Sequence, residues 1–373
     1  VIKLTVLGIA GVSLMALALP AQAQVAGDAI PGSYVCVFNK GSVSRGNAQA
    51  EANRAVQAGG GRVKHVYSVA LQGFSADLPP QALERVRAAN PNIAYCEQDQ
   101  VFTIPPVRAE ARPGGGGGVQ PAQETPWGIA RVNGGAAGTF ATAWVIDTGI
   151  DLDHPDLRVD VTRSRSFLSN DASPDDLNGH GSHVAGTIAA LDNAIGVIGV
   201  APGASVVAVR VLDRRGSGST SGVIAGVDYV AQYGRAGDVA NMSLGGGVSQ
   251  ALDDAVVSAS AGGVRFALAA GNESDNANNH SPARANGPNV FTVSAFAVGD
   301  RWASYSNFGN PPIDYAEPGS SIKSTWKDGG YNTISGTSMA TPHLAGLLLA
   351  GAVRNGGPVA GDPDGNPDPI GVR

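Results

Sequence analysis

The sequence predicts an α/β fold with a mainly parallel sheet, preceded by a small α+β module. Three observations predict it. From Trp127 onward, short continuous apolar runs alternate with segments of helical spacing, as in strands covered on both faces by crossover helices. Between Ile30 and Ile104 the order is strand, helix, strand, strand, helix, strand, the order of a ferredoxin-like module. Between the two lies a stretch from Pro105-Pro106 through Gly114 to Gly118 that has no packing period.

Along the chain, residues 1–23 read as a secretory signal peptide. Lys3 precedes an apolar run from Leu4 to Leu19, then Pro20 and the small-residue site Ala21-Gln22-Ala23. The run is short for a membrane span. Residues 24–104 make the first module. Ser33 to Phe38 alternates as a strand, and Gly46 to Ala58 is an Ala- and Gln-rich helix. Val63 to Val69 and Gly73 to Leu78 are strands, Pro80 to Asn90 spaces Leu83 and Val86 as a helix, and Ile93 to Glu97 closes the unit. The two cysteines, Cys36 and Cys96, fall in its first and last strands. An even pair in an exported chain suggests a disulfide, and strands in this order can be neighbours; two reduced, packed thiols are the alternative.

Residues 105–123 form a linker open to proteolysis. Residues 124–355 form the second body, with strands at Ala141–Ile146, Ser205–Leu212, Val239–Leu244, Val264–Ala270, Val290–Ala295 and Ile313–Ala316. Its helices are placed at His180–Leu191, Thr220–Tyr233, Ser249–Ala261 and Ser338–Val353. In such sheets the site lies at the carboxyl ends of the strands, where Asp147, Asn241 to Ser243, and Asn272 fall. The tail, 356–373, is rich in Pro, Gly and Asp and is expected to be disordered.

With 43% hydrophobic and 15% charged residues, the 373-residue chain can bury a large core and lacks the composition of a disordered protein. A net charge of −6 with no basic stripe argues against nucleic-acid binding.

The chemistry rests on three distant segments. Ser338, between small residues at a helix start, exposes a hydroxyl and a backbone N–H to one space. A serine hydroxyl is a weak nucleophile and needs a base, which needs an orienting acceptor. His180, between Gly179 and Gly181, supplies the base, and Asp147, closing an apolar run, supplies the acceptor. Asn272 adds an amide that can complete an oxyanion hole with the Ser338 N–H.

The segments Trp144 to Gly149, Gly179 to Thr187 and Gly336 to His343 resemble the three active-site signatures of subtilisin-like serine proteases, in the subtilisin order Asp, His, Ser. Trp127 to Arg131 and Ser304 to Gly309 are similar to the proteinase K branch, and residues 31–104 resemble its inhibitory propeptide.

The resemblance implies a three-layer subtilisin-like fold and a secreted serine endopeptidase made as an autoprocessed zymogen. It implies one edge of the substrate cleft at Ser243, Leu244, Gly245 and Gly246 and the other at Gly216, Ser217 and Gly218, with recognition by strand addition. Ala269, Ala270 and Gly271 wall the pocket before the cut bond, with no opposing charge and so a broad preference for apolar side chains. Pro288, Val290 and Asp314 match a calcium site; no cofactor is expected for catalysis. Partners are polypeptide substrates and the chain's own propeptide, with no membrane after signal removal; the chain is expected to be a monomer. Aligning Trp127 puts maturation near Val119–Gln120.

Ser182 and Val184 depart from the family's usual Thr and Cys. His154, His183 and His343 are expected to be structural, and Asp151, Asp153, Asp156, Asp175 and Asp176 solvated. A catalytically silent relative is the first rival reading. An esterase is the second; it lacks its Gly-x-Ser-x-Gly elbow here.

Overall fold

The computed structural model describes residues 25–104, 108–109 and 120–373. The expected signal segment and the glycine run of the linker lie outside them. The first module comprises β1 (Ala29–Phe38), α1 (Ala48–Gly59), β2 (Arg62–Tyr67), β3 (Gly73–Asp77), α2 (Ala82–Ala89) and β4 (Ile93–Thr103), in the predicted order. The strands form an antiparallel sheet, β2-β3-β1-β4. Alternation along β1 buries both faces. Cys36 and Phe38 pack with Ala52, Val56 and Val86 under the two helices, while Val35 and Val37 join the core of the second body. Cys36 and Cys96 are directly opposite in register and are joined by a disulfide.

The chain continues through β5 (Arg108–Ala109), α3 (Trp127–Arg131), β6 (Ala143–Asp147), β7 (Arg165–Ser166), α4 (His180–Ala189), β8 (Val206–Arg210), β9 (Ser217–Ser219) and α5 (Thr220–Tyr233). Then come β10 (Val239–Met242), α6 (Gln250–Ser260), β11 (Arg265–Ala269), β12 (Val290–Ala297), β13 (Arg301–Trp302) and β14 (Ile313–Pro318). The hairpin β15 (Ile322–Trp326) and β16 (Gly330–Ser335) leads into α7 (Thr337–Ala350), and β17 (Arg354–Pro358) and β18 (Pro369–Val372) end the chain.

The large sheet runs β17-β18-β14-β12-β11-β10-β6-β8-β7, and its centre is parallel throughout. Trp144 and Ile146 of β6 pack toward α5 and α6, while Ala143 and Val145 pack toward α4 and α7. The body is thus three layers, as its unbroken apolar strands require. β6 has β8 on one side and β10 on the other, so the chain reverses direction across the sheet at its carboxyl end, where sites form in such folds.

Two expectations are corrected. Residues 356–373 are not disordered: β18 pairs with β14 and with β17, Ile370 is buried, and the fully buried Asp368 accepts from Ser294 Oγ and Asn310 Nδ2. Composition hid four strand residues between turns. The linker is also not wholly without structure. Arg108 and Ala109 pair with Ser335 and Ile334, and Glu124 N–H bonds the Gly196 carbonyl at 2.9 Å.

Candidate active site

Asp147 is the last residue of β6, His180 the first of α4, and Ser338 lies in the first turn of α7; all three are fully buried. Asp147 Oδ1 accepts from the Thr148 N–H at 2.7 Å and lies 2.8 Å from His180 Nδ1. An ionised carboxylate only accepts, so the ring carries its proton on Nδ1 and presents Nε2 as the basic nitrogen. The close seat depends on Gly181. A Cβ there would stand 2.0 Å from the Gly149 carbonyl oxygen, so any side chain would force the acid and base segments apart.

The second half of the relay is open. Among the described residues His180 Nε2 is buried without a hydrogen-bond partner, and Ser338 Oγ donates to the Ser243 carbonyl at 3.2 Å. Ser243 Oγ in turn donates to the Ser338 carbonyl at 2.8 Å. That carbonyl needs a partner because the residue four positions on is Pro342, which has no N–H. The proline sits inside the helix, and Ser243 fills the gap it leaves.

Asn272 follows β11. Its Oδ1 accepts from the Thr337 N–H at 2.8 Å and from Thr337 Oγ1 at 2.9 Å. This fixes the amide's orientation, with the NH2 as the end turned away from Thr337.

The two expected cleft edges each pair with an extended segment, and that segment is the chain's own β4. Val101, Phe102 and Thr103 lie antiparallel to Ser219, Gly218 and Ser217. Thr103 exchanges bonds of 3.1 and 3.0 Å with Gly245, and Ile104 N–H bonds the Gly216 carbonyl at 3.0 Å. Phe102 is fully buried against Gly246. The Leu244 side chain is turned into the core. Beside Ile104 opens a cavity of about 620 Å³, walled by Gly245, Ala269, Ala270 and Gly271. The absence of an opposing charge is corrected: Glu273 lines this cavity, its Oε2 held at 2.7 Å by Asn307 Nδ2.

Val290 opens β12 and Asp314 lies in the neighbouring β14, but among the described residues no ion pair compensates the carboxylate. Its Oδ2 accepts from the Thr292 N–H at 2.9 Å, and burial pushes the group up to about 6. Carbonyls beside such a carboxylate fit a hard cation, which would favour the ionised form. Among the described residues no group of three or more His, Cys, Asp or Glu side chains gathers around a metal position.

The histidines expected to be structural are packed. His154 bonds the Gly330 carbonyl and accepts from the Asp156 N–H; His183 bonds the Ile322 carbonyl and His343 the Met339 carbonyl. Three of the five acidic residues depart from expectation, while Asp153 is exposed. Asp151, Asp156 and Asp176 are buried, and Asp156 accepts from Val197 N–H, Asn193 and Tyr331. Sequence reading assigns no role to Thr148 and makes Asp176 a solvated acid; the only signal either carries is adjacency to the acid and base motifs.

Residues 143–352 match the peptidase S8 subtilase family. The chain belongs to the subtilase family. This subtilase is 42% identical over 351 residues to alkaline serine exoprotease A of Vibrio alginolyticus, covering 88% of this chain and 62% of that protein's length. It is 40% identical over 349 residues to an extracellular serine proteinase of Thermus sp. (strain Rt41A), covering 86% and 80%. The crystal structure of a cold-adapted subtilisin-like serine proteinase superposes with a TM-score of 0.57 at 44% identity, over 65% of this chain and 96% of that one. No helix among the described residues is long and apolar enough to cross a membrane.

Proposed function

We propose that this subtilase is a secreted serine endopeptidase that cuts peptide bonds through Asp147, His180 and Ser338, and that residues 24–104 are its inhibitory propeptide. Rotation about Ser338 χ1 exchanges the Ser243 carbonyl for His180 Nε2. The hydroxyl oxygen then attacks the carbonyl carbon while the ring takes its proton, and returns it to the leaving amine. The acyl-enzyme is hydrolysed by water activated by the same ring. Asp147 keeps the tautomer and stabilises the imidazolium. The Ser338 N–H and the Asn272 amide receive the oxyanion. The extracellular relative and the apolar run ahead of Ala23 support secretion. Calcium at Pro288, Val290 and Asp314 is part of the same reading.

One observation carries it. The chain lies as a strand on both sides of the site, with Val101 to Ile104 on one side and Arg108–Ala109 against Ser335–Ile334 on the other. A substrate of a protease that reads backbone by strand addition would lie the same way. On this reading the first cut falls between Ile104 and Arg108, upstream of the Val119–Gln120 junction that alignment suggests. N-terminal sequencing of secreted product, beside Ser338→Ala, tests it. Protein cleaved only when Ser338 is present, with a new N-terminus at 105–108, is expected; a variant processed identically refutes the reading.

A further inference from the structure

We propose that Thr148 and Asp176 are positioning residues that lock the Asp147–His180 pair in register, an inference that rests on the catalytic reading above. Thr148 touches both halves of the pair. Its N–H donates to Asp147 Oδ1 at 2.7 Å, the oxygen that also meets His180 Nδ1. Its hydroxyl accepts from the N–H of Gly181, the residue after His180, at 2.9 Å. One side chain thus ties the end of β6 to the first turn of α4.

A hydroxyl has one proton, and Asp176 decides where it points. Thr148 Oγ1 donates to Asp176 Oδ1 at 2.9 Å, so its lone pairs face Gly181. Asp176 is 3% exposed and accepts four more bonds: to Oδ1 from the N–H groups of Asn178 (2.9 Å) and Gly179 (2.8 Å), and to Oδ2 from Ser182 N–H (2.9 Å) and Oγ (2.7 Å). Gly179, at the cap position of α4, has no side chain to do this.

Capping accounts for the Gly179 and Ser182 bonds, which stabilise the helix. It does not account for Thr148. The first N–H groups of α4 are met locally by Asn178, Asp176 and Gly179, except that of Gly181, which is met from β6. That exception couples the two elements whose ends bear the acid and the base. A neutral amide at 176 cannot accept from all five donors, so the charge is needed for the whole arrangement.

The test is a double-mutant cycle in protein expressed as the full chain and matured by an added protease that is then removed, read as kcat and KM on a chromogenic peptide. Thr148→Val keeps the shape and removes the hydroxyl. It is expected to lower kcat about 10- to 100-fold, the cost of a small misplacement of reacting groups, with KM within about twofold; Thr148→Ser is expected to restore most of the rate. In an Asp147→Ala background, with no carboxylate to place, Thr148→Val is expected to change the residual rate less than about twofold. Asp176→Asn makes the same comparison from the other end of the bond. An unchanged kcat in Thr148→Val, or the same factor lost in both backgrounds, overturns the proposal. If Asp147→Ala itself leaves the rate intact, the catalytic reading fails instead.

Discussion

At the scale of single residues, function depends on which atoms have partners. Asn272 spends its oxygen on Thr337, so its donor end is set before any substrate arrives. Asn272→Ala is expected to lower kcat about 10²- to 10³-fold, a figure carried over from a side-chain donor of this kind in a subtilisin, with little change in KM. Equal kcat in the variant would remove Asn272 from the oxyanion hole. His343 illustrates a different constraint. It is fully buried, and desolvation lowers its pKa to about 4 from 6.5. The folded state resists its protonation while the unfolded state does not. This penalty is absent above pH 6.5 and grows as pH falls from there toward 4. In the Ser338→Ala background, His343→Asn should therefore lose less of its urea midpoint between pH 7 and 4.5 than its parent does. Parallel losses would show that the ring does not contribute to acid sensitivity.

At the scale of elements, β12 and β14 form a parallel pair in which Asp314 lies at the level of Thr292 and Val293, just beyond Val290 at the start of β12. Burial alone pushes the Asp314 carboxyl up to about 6. A calcium ion bound there would reverse that cost and stabilise the folded state by mass action. Chelation is expected to lower the Tm of the Ser338→Ala protein by several degrees, and to do so far less in its Asp314→Asn derivative; no chelator effect would argue against the ion. Elements were the most legible level of the sequence. Strands such as Ala143–Asp147 and Val206–Arg210 are apolar up to their last residue because helices cover both faces; the helices at His180 and Thr220 start where the sequence placed them, and the third starts one residue later, at Gln250, with Ser249 as its cap. The site residues were legible because their motifs are contiguous. β18 was not, since four residues flanked by Pro, Gly and Asp are ordered by pairing with β17 and with β14, the latter far off in sequence. Nor was Glu273, whose place in the cavity wall is set by Asn307 across the fold. Asp176 looked like a solvated loop acid because burial in a loop leaves no periodic trace.

At the scale of the whole molecule, the first module and the body meet through polar anchors. Asp99 accepts from Ser221 N–H and Oγ, Asp228 accepts from the N–H groups of Ser68, Val69 and Ala70, and Glu97 reaches Ser249 and the N–H of Ala251 at the start of α6. β4 carries Glu97 and Asp99 into this contact, and the Cys36–Cys96 disulfide clamps β4 to β1. A module this small has a limited core, so the cross-link is expected to contribute about 2–4 kcal/mol to its stability. Urea unfolding of the Ser338→Ala protein with and without a dithiol reads this as an earlier loss of the module on reduction; coincident curves would remove the role. Both cysteines lie upstream of the proposed cut, so the released enzyme should be indifferent to the same reagent.

The two strand segments that flank the site, β4 on one side and β5 on the other, belong to the same polypeptide as the site itself. If the first cut falls between those segments, as proposed, target and blade are never apart and their meeting has no diffusional step. Dilution should leave the half-time of the first scission untouched, and one precursor alone in a droplet should mature as quickly as one in a crowd.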